Sequence, residues 1–243
     1  MVEVELLLLM GLIVVIAYFV KGALGFGEGL ITISFFLLFL DLKLVLPLAL
    51  LLALVGGFYQ VFHFKTDIIK NIVFVFIVPI IIGVIIGTYL LNQLDSEVIK
   101  TIFAIAIILY SLKLLFFSEF SKSEKQINKP LAGIVGFIGG LVDGLIGLGG
   151  VPIIVYLNHI KLKKAAFRAT CVLTFIVLAT TRTITYAYSG LISVDTIKMA
   201  LYLAPAILIG SLGGIRIHSK INEDMFTRIV TVMLLIIGII NIF

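Results

Sequence analysis

Charge is scarce in this chain. Asp, Glu, Lys and Arg make up 13% of its 243 residues, against about 25% in a soluble domain, too few to cover a water-facing surface. Cysteine is scarcer still. Cys171 stands alone inside an apolar segment, which excludes a disulfide framework and a cysteine metal cluster and leaves packing as its expected role. The histidines His63, His159 and His218 have no metal-site spacing. His63, beside Phe62, Phe64 and Lys65, reads as an interfacial residue rather than a proton relay, and the other two as loop or boundary residues. No P-loop, nucleophile elbow or kinase signature occurs. The expectation is a protein that is not an enzyme and carries neither cofactor nor metal.

What is present is apolar. Hydrophobic residues reach 62% and the mean hydropathy is +1.29. Runs of about 17 residues or more, each able to cross a hydrocarbon core about 30 Å thick, recur along nearly the whole length. The start, Met1-Val2-Glu3-Val4-Glu5, is acidic where a secretory signal is basic, so the first apolar run is expected to be structure. The formal charge of +5 does not point to nucleic acid, because its Lys and Arg sit in short loops between apolar runs, where they report topology. The partners implied are the lipid bilayer and a small solute.

The chain repeats itself. Lys21-Gly22-Ala23-Leu24-Gly25-Phe26-Gly27 matches Asp143-Gly144-Leu145-Ile146-Gly147-Leu148-Gly149 at an offset of 122, and the three glycines coincide. Downstream, Pro79, Gly83, Gly87 and Glu97 correspond to Pro205, Gly210, Gly214 and Asp224. The polar stretch 118–129 lies between the halves, giving a first repeat 1–117, a linker 118–129 and a second repeat 130–243. Each repeat opens with a glycine-interrupted stretch, 4–40 and 131–157. Three expected spans follow in each, near 44–64, 69–92 and 97–117, then 165–189, 195–217 and 224–242. A stretch as long as 4–40 exceeds one crossing at about 1.5 Å per residue, so it must break, and the glycines mark where.

Two topologies compete. If each broken stretch crosses once, the repeats are parallel; if it folds back as a hairpin, three crossings remain and the repeats are inverted. The hairpin arrangement collects Lys65, Lys70, Lys122, Lys125, Lys129, Lys161, Lys163, Lys164, Arg168, Arg216, Lys220 and Arg228 on one face and leaves Lys43, Lys100 and Lys198 on the other. The alternative divides the same residues more evenly. Because cytoplasmic loops carry the Lys and Arg excess, the expected fold is all-α: a multi-pass cell-membrane protein of two inverted repeats, each a glycine-broken hairpin plus three helices, with both termini extracytoplasmic.

Interrupted segments at matching positions point to a transporter's binding site. Small residues also serve ordinary close helix packing, but here the cluster occurs twice, in the two stretches too long to be single helices. A broken helix frees backbone N–H groups whose dipole favours an anion, and Pro152 suits the first turn of such a helix. The candidate cradle is therefore Gly22, Gly25 and Gly27 with Gly144, Gly147, Gly149 and Gly150, at hairpin tips expected to come together near the midplane. Lys21 and Asp143 occupy equivalent positions, and a charge there costs about 2.5–3.5 kcal/mol on insertion scales. The open readings are a Lys21–Asp143 pair, Lys21 on an anionic substrate with Asp143 taking a proton, or snorkelling to the headgroups. Glu28 either complements the dipole of the second arm or acts as a coupling carboxylate. Arg182, among Thr180, Thr181, Thr183 and Thr185, is the candidate oxyanion contact, since a guanidinium fork matches an oxyanion bidentately. The alternative is a bond to carbonyls or a carboxylate. Its counterpart in the first repeat is Gln60.

Two segments, Lys21 to Gly29 and Gly136 to Pro152, resemble the sulfite exporter TauE/SafE family of membrane transporters, and Pro205 to Gly214 resembles that family's closing segment. The resemblance implies transport, usually export, of sulfur-containing anions such as sulfite or organosulfonates. With no ATP-binding motif, a proton gradient is the expected energy source, Glu28 and Asp143 the candidate carriers, and rocking of the halves the means of alternating access. Glu28 stands where the second repeat has Gly150, and Pro152 has no counterpart, so the two sites are not expected to be symmetric. An ion or solute channel and a non-transporting anchor subunit are the rival readings. The topology has a direct check in a Cys171→Ala background. Lys100→Cys should react with an impermeant maleimide in intact cells and Lys122→Cys only after permeabilisation; the reverse pattern would reject the orientation.

Overall fold

The computed structural model describes residues 4–24, 27–61, 69–116, 128–160, 162, 164–217, 231–232, 235–236 and 238–240. Among these residues the regular structure is helical throughout. The helices are α1 (Val4–Leu24), α2 (Glu28–Phe36), α3 (Leu42–Val61), α4 (Lys70–Gln93), α5 (Ser96–Phe116), α6 (Lys129–Ile146), α7 (Gly150–His159), α8 (Lys164–Tyr188) and α9 (Val194–Ile217). Among the described residues α1, α4 and α6, with most of α8 and α9, are long and apolar enough to cross a membrane. The protein is thus a polytopic helical membrane protein. The linker 118–129, except Asn128 and Lys129, falls outside the described residues, as does most of the expected span 224–242.

Both long stretches break at their glycines. The first becomes α1 and α2, the second α6 and α7. Asn128 caps α6, its side chain accepting from the Leu131 N–H, with Pro130 in the first turn. Gly147 ends that helix in the left-handed region (φ 75°), its N–H donating to the Asp143 carbonyl. Gly27, at φ 102°, opens α2. The second arms have 9 and 10 residues, about 14–15 Å at 1.5 Å per residue, half of what a crossing needs. α7 runs back along α6, since a Cβ on Gly139 would meet the Gly149 carbonyl at 3.1 Å and Ile153 at 3.2 Å.

The chain divides into two compact units that differ from the two sequence repeats. One comprises Met1–Gly56, Ser96–Ser118 and Ile192–Phe243, the other Gly57–Asp95 and Glu119–Leu191. Each takes helices from both repeats. In the first unit the α1–α2 hairpin packs on α9, and in the second the α6–α7 hairpin packs on α4 and α8.

Backbone-to-backbone contact at glycine explains these pairings. A Cβ on Gly140 would stand 2.9 Å from Ile80 Cα, and one on Gly144 2.9 Å from the Thr88 N. Reciprocally, a Cβ on Gly83 would stand 2.7 Å from the Leu141 N and one on Gly87 2.9 Å from the Leu145 N. In the first unit a Cβ on Gly22 would stand 2.7 Å from the Ser211 carbonyl oxygen and one on Gly210 3.0 Å from the Phe19 N. The outward faces are apolar instead: Leu8, Leu12 and Ile16 on α1, and Phe74, Val78, Ile85 and Tyr89 on α4, are exposed. Small residues inward and large apolar ones outward is the pattern of helices in lipid.

Contact order along the helices also gives their directions. Within the second unit Thr88 bonds Thr185 at 3.0 Å and the Ile69 N–H donates to Thr170 Oγ1 at 3.3 Å, so α4 and α8 run parallel. Glycine packing also separates sites that can accept a side chain from sites that cannot. Gly87→Leu should lower stability by about 1–3 kcal/mol or more through overpacking, read as a reduced melting temperature in detergent. Gly11→Leu, where an added Cβ meets nothing within 4 Å, should leave it unchanged.

Candidate functional site

Each hairpin turn carries an ion pair, part-buried in the first unit and buried in the second, and the two pairs are built differently. In the first unit Lys21, on the last turn of α1, donates to Glu28 on the first turn of α2. The Lys21 ammonium lies 5.4 Å from the Tyr18 ring centroid, a cation–π distance. Tyr18 is fully enclosed, and its ring packs on Gly56 of α3. Glu28 therefore sits in the first turn of its helix, where the dipole favours it, while its side chain reaches back to the opposite arm.

In the second unit Asp143 occupies the matching place on α6, and its partner comes from α8. Arg182 Nη1 donates to Asp143 Oδ1 at 3.2 Å and to the Asp143 carbonyl at 3.3 Å. The Gly149 N–H, just before α7, donates to the same Oδ1 at 3.3 Å. Tyr186, one turn beyond Arg182, lies with its ring 5.8 Å from the guanidinium carbon and donates its hydroxyl to the Gly144 carbonyl at 2.9 Å. Both members of the ion pair are 7% exposed. Arg182 Nε and Asp143 Oδ2 have no hydrogen-bond partner among the described residues.

The close packing of the turn makes this geometry possible. A Cβ on Gly149 would strike Asp143 and the Gly139 carbonyl, and one on Gly150 would meet the Phe175 ring at 3.0 Å. At position 150, where the first repeat has Glu28, a side chain would crowd the Phe175 ring, and in this unit α8 supplies the counter-charge.

Of the expected site residues, the structure brings Asp143, Gly144, Gly147, Gly149, Gly150 and Arg182 together around one turn, and Lys21, Gly22, Gly27 and Glu28 around the other. Gly25 lies outside the described residues, and so does the side chain of Gln60 on α3. Of the open readings for Lys21 and Asp143, the mutual pair gives way to a different partner for each within its own unit. Arg182 takes the alternative contact, to a carboxylate and a carbonyl. Tyr18, Tyr186 and Thr88 were not singled out from sequence, and Thr185 only as a neighbour of Arg182. Tyr18 precedes Lys21 by three residues and Tyr186 follows Arg182 by four, spacings that share a helix face, and this was the available signal.

Comparison with known proteins identifies the family. The family described as sulfite exporter TauE/SafE matches residues 10–240. The chain belongs to that family. A relative from Methanocaldococcus jannaschii, named as a probable membrane transporter protein, is 24% identical over 98% of this chain and 97% of its own length. Another from Cupriavidus necator, named as a probable sulfite/organosulfonate exporter TauE, is 28% identical over 43% of this chain and 41% of its own length. No solved structure matches. Membership of this family makes the chain a membrane transporter and places the two hairpin turns in a solute-moving protein.

The buried pair predicts a non-additive stability pattern. Arg182→Gln alone, which strands the Asp143 carboxylate, should cost about 3–5 kcal/mol, and replacing both partners by Asp143→Asn with Arg182→Gln should cost less. A double-mutant cycle on thermal unfolding reads the difference.

Proposed function

We propose that this protein is a secondary transporter of small sulfur-containing oxyanions, sulfite or organosulfonates, acting in a proton-coupled cycle and moving its substrate out of the cell. The observation that carries the proposal is the buried Arg182 guanidinium. It is tethered through Nη1 to Asp143, retains an Nε–H with no partner among the described residues, and is joined through Asp143 Oδ1 to the N–H that opens α7. A guanidinium and a helix N-terminus at one turn form an oxyanion cradle. The relative from Cupriavidus necator, named for sulfite and organosulfonate export, supports the substrate class.

Asp143 and Glu28 are the proposed proton carriers, each bonded to a cation within its unit. Gly144, Gly147, Gly149 and Gly150 shape the turn beside Arg182, and Lys21, Gly22, Gly25, Gly27 and Gln60 are the proposed counterparts in the first repeat. The parallel run of α4 and α8 supports inverted repeats. These helices hold the second place after one hairpin and the first place after the other, and parallel repeats would make them antiparallel.

Purified protein in liposomes provides the test. Wild type should move sulfite or a sulfonate saturably. Arg182→Gln should lower the rate at least about tenfold, in keeping with a charge-assisted contact worth about 1.5–3 kcal/mol. A wild type that moves neither anion, or an Arg182→Gln variant at the wild-type rate, would overturn the proposal.

A further inference from the structure

We infer that Asp143 and the transported anion are alternative partners of Arg182, so that one proton taken on Asp143 accompanies each anion, and that the site therefore selects monovalent over divalent oxyanions. This rests on the oxyanion reading of Arg182 given above and specifies its substrate class and stoichiometry.

The charges decide it. Arg182 and Asp143 form a neutral pair with side chains 7% exposed. An anion that takes the guanidinium from an ionised Asp143 leaves a buried carboxylate unpaired, and breaking such a pair is strongly unfavourable. A proton removes the conflict. Asp143 Oδ1 already accepts from Gly149 and Arg182, whereas Oδ2 is unpartnered among the described residues, so Oδ2 is the oxygen open to protonation. The neutral carboxyl loosens its hold on Nη1, but the bond from Nη1 to the Asp143 carbonyl does not depend on the carboxyl charge. With the Tyr186 ring beside it, the guanidinium keeps its place and gains a free donor next to Nε.

Among the described residues, the charged groups on the elements packed against Asp143 leave this balance undisturbed. From α8 the titratable groups at Asp143 are Arg182 and Tyr186. α4 brings Thr88, and its Lys70 and Tyr89 are exposed. α7 brings the Gly149 N–H; its Tyr156 hydroxyl bonds the Asn128 carbonyl at the other end of α6, and its His159 is exposed. One proton and one monoanion thus leave the centre neutral, as it began. A dianion leaves one uncompensated negative charge in a buried site, which is costly. The carried unit is electroneutral, so its direction follows the combined proton and anion gradients. Outward flux runs when internal anion outweighs the inward proton gradient.

Methanesulfonate and sulfate serve as monovalent and divalent probes in proteoliposomes. An inward proton gradient should drive methanesulfonate accumulation with one proton per anion, indifferent to an imposed potassium diffusion potential, with sulfate at least about tenfold slower. Asp143→Asn should lose gradient-driven accumulation and exchange methanesulfonate at a rate independent of pH. Asp143→Glu, the variant to use if Asp143→Asn does not fold, should keep the coupling. Potential-driven uptake, sulfate moving as fast as methanesulfonate, or accumulation surviving in Asp143→Asn would overturn the inference and leave the oxyanion reading standing. A wild type that moves neither methanesulfonate nor sulfite would overturn both.

Discussion

The contact of bare backbone between helices is the constraint on which the rest of the structure depends. At Gly140 and Gly144 of α6, and at Gly83 and Gly87 of α4, no side chain separates the two helices. In lipid the hydrophobic effect does not drive helices together, so close van der Waals contact has to do so. That contact fixes how far α6 slides along α4, and therefore where its last turn stands. The glycine turn, the Asp143 carboxylate and the start of α7 follow from that position. Leu148 and Gly149, where the half-length α7 begins, are buried in protein, so the backbone groups freed by the break need not meet lipid.

The two units solve one electrostatic problem in two ways. Each hairpin places a charge on the last turn of its first arm, a cation at Lys21 and an anion at Asp143. In one unit the return arm supplies the counter-charge, Glu28. In the other, Phe175 packs close against Gly150 and the counter-charge arrives from a separate helix as Arg182. A pair formed within one turn holds that turn together. A pair formed between α6 and α8 also links two helices, which makes its state visible beyond the turn itself.

Much of the architecture was legible in the chain. Long apolar runs, the duplicated glycine cluster and the excess length of 4–40 and 131–157 predicted broken helices, and the breaks fall at Gly27 and Gly147. Arg182 stood out because a guanidinium inside an apolar run is costly. The tyrosines did not, because a tyrosine in a membrane segment carries no such cost and acquires meaning only from its neighbour. The spacing of Tyr18 from Lys21 and of Tyr186 from Arg182 becomes informative once the charge beside each is known to be buried.

The sequence by itself determined that this is a helical membrane protein, where its helices break, and which residues carry charge into the interior. These are local properties, set by hydropathy, glycine conformation and the cost of burying an ion. Only the tertiary structure decided the partners: Lys21 with Glu28, Asp143 with Arg182, each hairpin with a helix from the other repeat, and α4 parallel to α8. The reason is physical. Pairing depends on which backbones approach closely enough to bring two side chains within hydrogen-bond reach, and glycine permits that approach without specifying the helix on the other side.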